Sequence, residues 1–225
     1  MNQGGVLTNG SGVITGLGNI TLNGGTIKFY TGYFAGSWNG CYTLMGDITV
    51  AGSAPSYITM ATGAGNASNM QMSNGANGVG GARTMTVGDV TLDAGSDLII
   101  SAQLINGAMI KAGAGTVELA SGCVGSGVAV SWRIDAGTLK TTADNVVGTA
   151  ANLTGTAVGT KLDLGGTTQT IGSLGAAGAG NGYRGTITNG TINLNGNSSY
   201  IQNGICTVNF TGGGNSRLWI GGDAG

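Results

Sequence analysis

The sequence predicts an all-β chain wound as a β-solenoid. Three observations carry that expectation. The 48 glycines of 225 residues, set against a single proline, punctuate brief β-type runs; they neither recur every third residue, as in collagen, nor form a flexible Gly/Ser tract. The runs themselves recur at a spacing of 20–25 residues, the sign of one supersecondary unit repeated along an axis. Within each run apolar residues alternate with small polar ones, so one face is buried and the other wet.

The runs follow in order. Residues 19–22 (NITL) and 26–29 (TIKF) open the chain, with Asn23-Gly24 between them. Residues 97–101 (DLIIS) and 109–111 (MIK) lead into the most regular part. There 116–119 (TVEL), 138–140 (TLK) and 161–164 (KLDL) begin 22 and 23 residues apart. Residues 186–188 (TIT) begin 25 later, with 191–194 (TINL) close behind, and 206–210 (CTVNF) another 20 on. Alternation points Val117, Leu119, Leu139, Leu162, Leu164, Ile192 and Leu194 inward, and Glu118, Lys140 and Asp163 outward. Asn-Gly pairs, among them those at Asn106, Asn189 and Asn203, mark corners, since glycine reaches positive φ freely and asparagine tolerates it. Proline is almost absent because a neighbouring coil wants nearly every backbone N–H. About ten coils at ~4.8 Å would make a rod roughly 50 Å long.

Residues 111–122 (KAGAGTVELASG), 134–140 (IDAGTLK) and 162–174 (LDLGGTTQTIGSL) together resemble the autotransporter-associated β-strand repeat. The likeness is close over about 65 residues and loose elsewhere, with a short spacer between Cys123 and Trp132. It implies a right-handed parallel β-helix, residues 1–225 forming one segment with its clearest repeats at 97–174. It further implies a segment of a large exported bacterial surface protein acting as stalk, adhesin or scaffold, so the expected location is extracellular or the cell surface.

Composition excludes several functions. Charged residues are 8% of the chain and net charge is −1. No basic stripe is present to meet nucleic acid, and no apolar run approaches the ~20 residues that span a bilayer. With no histidine, Ser-His-Asp and Cys-His nucleophile systems are out. Glu118 is the sole glutamate; as half of a glycosidase pair it would need Asp135 or Asp163 stacked beside it. Asp89, Asp93 and Asp97 suggest calcium by their four-residue spacing, but Gly95-Ser96 breaks their common face, so they are expected to be solvated corner residues. Cys41, Cys123 and Cys206 lack zinc or disulfide-scaffold spacing and are expected as small buried hydrophobes. The expectation is no enzyme and no cofactor.

One cluster stands apart. Six of twelve aromatics lie within fourteen residues: Phe29, Tyr30, Tyr33, Phe34, Trp38 and Tyr42. A narrow β-helix has little room for rings, so these six form the candidate contact surface, for a surface glycan, another protein or a second copy. The alternative is a loop packed on the first coils. Self-assembly through open coil ends is the second functional reading, and a carbohydrate-active β-helix the third.

Overall fold

The computed structural model describes residues 1–9, 15–29, 42–61, 69–72, 81–123, 130–175, 182–195, 197–213 and 215–221. Among these residues there is no helix, and every ladder between strands is parallel. Parallel neighbours need a crossover connection. Here each crossover is the rest of a coil, so the chain is a parallel β-helix.

A ten-stranded sheet runs the length of the molecule. It begins at Val6–Thr8 and passes through Thr26–Phe29, Ser56–Met60, Leu98–Ser101, Thr116–Leu119, Thr138–Thr141 and Lys161–Asp163. It then reaches Thr186–Asn195, which carries Ile205–Gly213 on its far side. Thr168–Ile171 completes this sheet by pairing with the second half of Thr186–Asn195. A seven-stranded sheet, from Ile20–Leu22 to Ser173–Leu174, makes a second face. A four-stranded sheet closes the early coils as Thr15–Leu17, Tyr42–Leu44, Asn69–Met72 and Gln103–Ile105.

Alternation holds through the regular part. Val117, Leu139, Leu162 and Ile187 stack rung upon rung in register, all inaccessible. Leu119, Leu164, Ile192 and Leu194 are buried as well. Each such side chain contributes about 1.5–3 kcal/mol on leaving water. The expected spacings recur as pairings: Thr116 with Thr138, Thr138 with Lys161, Lys161 with Thr186.

Coil length is less uniform than expected. From Leu7 to its partner Ile27 is 20 residues, but Ile27 to Ile58 is 31 and Ile58 to Ile100 is 42. Rungs need only meet in register, and a longer corner loop costs little extra closure entropy. Nine levels of the long sheet are described. Eight spacings of ~4.8 Å make a stack of roughly 38 Å.

The corners use the expected residues. Asn106, Asn189 and Asn203 have φ of 58°, 60° and 55°. Asn189-Gly190 forms a bulge opposite Val208, where Thr186–Asn195 bends between its two partners.

Candidate interaction surfaces

Phe29 ends its strand with the parity of Ile27, and Tyr42 shares its face with Leu44. Both rings are inaccessible, and their centroids lie 5.2 Å apart at a tilt of 48°. These two members of the aromatic cluster are therefore core, which corrects the expected contact surface at both positions. Tyr30, Tyr33, Phe34 and Trp38 lie outside the described residues. The argument from a narrow interior fails because the four-stranded sheet gives the early coils a third wall. Trp132 is likewise buried, at 2% exposure. It sits where that sheet has ended, beside a void of about 10 Å³ lined by Leu104, Cys123, Val146 and Val147 among others, room for about one water.

The aromatics that do face outward were not singled out in the sequence. Tyr200 and Trp219 are register partners on Ser198–Gln202 and Arg217–Gly221. Their rings stack at 6.4 Å and 6°, with Trp219 57% exposed. Only alternation signalled this orientation: Tyr200 is one step from the buried Ser199 and Ile201, and Trp219 one step from the half-covered Leu218.

The outward charges form a column across rungs: Glu118, Lys140, Asp163. Glu118 accepts from Ser96 Oγ at 2.6 Å and Thr142 Oγ1 at 3.1 Å, with Lys140 Nζ at 3.8 Å. Asp163 pairs with Lys161 at 2.8 Å and accepts from Asn189 Nδ2 at 3.0 Å. Partial burial works to raise its carboxyl, but bonds from Lys161, Asn189 and the Gly165 amide outweigh this and hold it below the ordinary range. Asp135 behaves alike: burial pushes up, and bonds from Arg133 and Thr156 pull it down further. Lys140 separates Glu118 from Asp163 in the column, and Asp135 is engaged by Arg133 at 2.8 Å. The carboxylates tie neighbouring coils together.

Two charged residues are interior. Asp97, expected as a solvated corner residue, is 1% exposed. Its Oδ1 accepts from the Val90 and Thr91 amides at 2.7 and 2.9 Å and from Thr91 Oγ1 at 3.0 Å; its Oδ2 accepts from the Thr116 amide at 2.7 Å. The correction has a simple cause: a carboxylate that receives several N–H donors can leave water. Asp89 and Asp93 are exposed and accept from the Leu92 and Gly95 amides. The three aspartates thus have separate duties. Among the described residues no three His, Cys, Asp or Glu side chains gather as a metal set.

Lys111 takes the place of a hydrophobe in the inward column Ile48, Met85, Lys111, Ile134. It is inaccessible, and Nζ donates to the carbonyls of Ala112, Gly113 and Ala136 at 3.0, 2.7 and 3.0 Å. Burial lowers its pKa to about 8, against the pull of Asp97. Cys123 is buried, as expected, and burial pushes its thiol up to about 12. Cys206 is half-buried, raised to about 11 by the same cause. Cys41 lies outside the described residues.

No family model, curated protein or solved structure matches the chain.

The two end coils complete the surface. Of eight large apolar side chains that stand exposed among the described residues, four belong to them: Val6, Ile205, Trp219 and Ile220. In the last coil Cys206, Val208, Phe210 and Leu218 pack on the core but remain partly uncovered.

Proposed function

We propose that this chain is a non-catalytic structural segment of an exported bacterial surface or extracellular protein, a stalk or scaffold of the kind that residues 111–174 resemble. The observation that carries the reading is where the carboxylates go. Glu118, Asp97, Asp135 and Asp163 each spend their oxygens on donors of adjacent coils or corners. Chemistry-bearing groups here serve as mortar between rungs. Rigidity comes from parallel backbone ladders repeated along one axis.

The test is location. In cells that express the parent reading frame, a membrane-impermeant biotin reagent should label this segment before lysis. Labelling only after lysis would overturn the reading. The non-catalytic half is checked separately: the purified chain should release no new reducing ends from a panel of acidic and neutral polysaccharides.

A further inference from the structure

Leu92 is the most exposed large apolar side chain among the described residues, at 85%, and its φ is 57°. The other described non-glycine residues at positive φ are all asparagines. Asparagine tolerates that region, whereas a branched apolar residue there is an outlier held against its preference. The turn is braced in this shape: Asp97 Oδ1 accepts from the Val90 and Thr91 amides, and Asp89 Oδ1 accepts from the Leu92 amide at 2.9 Å. Strain and an uncovered leucine both weigh against the fold, and so exposed a side chain gains little within its own chain to offset them.

Leu92 has a counterpart on the same edge of the helix. Residues 88–97, 113–115, 135–137 and 156–160 are the corners that carry the seven-stranded sheet into the ten-stranded one on four successive levels. The first and last are the longer turns, with Leu92 on one and Val158, 69% exposed, on the other. The two between are Gly113-Ala114-Gly115 and Asp135-Ala136-Gly137, packed too tightly to admit a Cβ at any of their glycines. The edge therefore dips for two levels between two aliphatic ridges. Three spacings of ~4.8 Å set the ridges roughly 14 Å apart, and the two low levels leave about 10 Å between them.

We propose that this notch receives an extended, cationic segment of a partner protein, whose aliphatic side chains pack against Leu92 and Val158. Width selects the extended form, because a helix with its side chains is about 10–12 Å across and does not enter. Charge selects the sign. No lysine or arginine lies in the four corners, while Asp89 and Asp93 stand exposed on either side of Leu92. A turn amide engages only one oxygen of each, Leu92 N–H on Asp89 Oδ1 and Gly95 N–H on Asp93 Oδ1. The second oxygen of each is open to a lysine or arginine of the partner. The positive φ then has a use: it fixes the direction of the leucine before binding, which lowers the ordering cost of the contact. The inference goes beyond the stalk reading, and either can fail without the other.

The probe is a fluorescein-labelled hexapeptide of alternating lysine and leucine, titrated with the full chain and followed by fluorescence anisotropy. It should bind saturably, and the same peptide with glutamate for lysine should not. Leu92→Asn should weaken binding about tenfold by removing one aliphatic wall. Asp89→Asn combined with Asp93→Asn keeps the turn acceptors, and should weaken binding and flatten its dependence on salt. Val6→Asn removes an exposed apolar side chain at a distant place and should bind as the unaltered protein does. Leu92→Asn should also raise the melting temperature by about 2–4 °C, because asparagine tolerates the left-handed region. Absence of saturable binding overturns the proposal, as does equal binding of the glutamate peptide. Equal weakening by Val6→Asn overturns it too, since the contact would then be unspecific. A melting temperature that is unchanged or lower in Leu92→Asn removes the stored strain on which the argument rests, and overturns it likewise.

Discussion

A Cβ placed on Gly137 would stand 2.7 Å from Lys111 Nζ. The glycine of one coil is thus the vacancy that admits the lysine of the coil before it. Gly115 does the same for Asp97, whose Oδ2 would be 2.7 Å from a Cβ there. Gly113 lies under Val87, with a Cβ only 2.3 Å from that carbonyl oxygen. The spacing of lysine and glycines in residues 111–115 and 137 is the footprint of two buried charges at one corner of the helix.

Gly137→Ala is expected to destabilise the protein by about 2–4 kcal/mol, combining left-handed strain with overpacking. Gly137 has φ +69°, and its Cβ would also meet the Gly113 and Gly115 carbonyls at 2.5 Å. Gly166 has φ +82° but open space around it, so Gly166→Ala should cost about 1–2 kcal/mol from strain alone. Urea unfolding of both variants measures the difference. Equal losses would show that the corner is not tightly filled.

Asp97→Asn should cost about 2–4 kcal/mol, because one oxygen becomes an NH₂ that cannot accept, whether it faces the Thr116 amide now held by Oδ2 or the Val90 and Thr91 donors now held by Oδ1. Asp163→Asn, on the outer face and paired with Lys161, should cost about 1 kcal/mol or less. Chelation tests the same assignment: addition of EDTA should leave the melting temperature unchanged, since Asp97 is held by backbone amides. A drop that calcium reverses would place a metal at 89–97 after all.

Lys111 gives stability an unusual pH dependence. Its pKa in the folded protein is lowered to about 8 by burial, from 10.5. Below pH 8 both states carry the charge. Between 8 and 10.5 the folded state releases a proton that the unfolded chain still holds, so this residue makes the protein more stable as pH rises. Lys111→Met leaves three carbonyls without their donor and should cost about 1–3 kcal/mol at pH 7. The difference between the two proteins should widen from pH 8 toward 10.5. A constant difference would mean that Lys111 keeps its charge throughout.

Cys123 works in the opposite sense. Its thiol is raised to about 12 by burial, from 9.0. Above pH 9 the unfolded thiol ionises and the folded one does not, so stability falls as pH rises through that window. Cys206 and Tyr183, both raised by burial, add to the same alkaline loss. Cys123→Ala should be less stable at pH 7 yet show a shallower decline between pH 9 and 11, measured by denaturant midpoints at fixed pH. An unchanged slope would show that the thiol is open to solvent.

Much of the fold was legible because a strand's side chains have a strict period of two and a coil returns to the same face. The spacings at Thr116, Thr138, Lys161 and Thr186, the inward set from Val117 to Leu194, and the corner asparagines all follow from those local rules. Lys111 was also within reach: it shares parity with Met109, and alternation alone turns it inward. Chemical habit, which places lysine in water, hid it.

Tertiary structure alone decided the rest. Asp97 has the parity of an outward residue, and only the convergence of the Val90, Thr91 and Thr116 donors makes its burial tolerable. Phe29 and Tyr42 are interior because a third sheet widens the early coils, and the width of a coil depends on residues far apart in sequence. The Tyr200–Trp219 stack exists because register sets two residues 19 apart side by side. Period and corner chemistry are local and can be read along the chain, whereas the partners of a side chain are chosen by which rung lies above and which below.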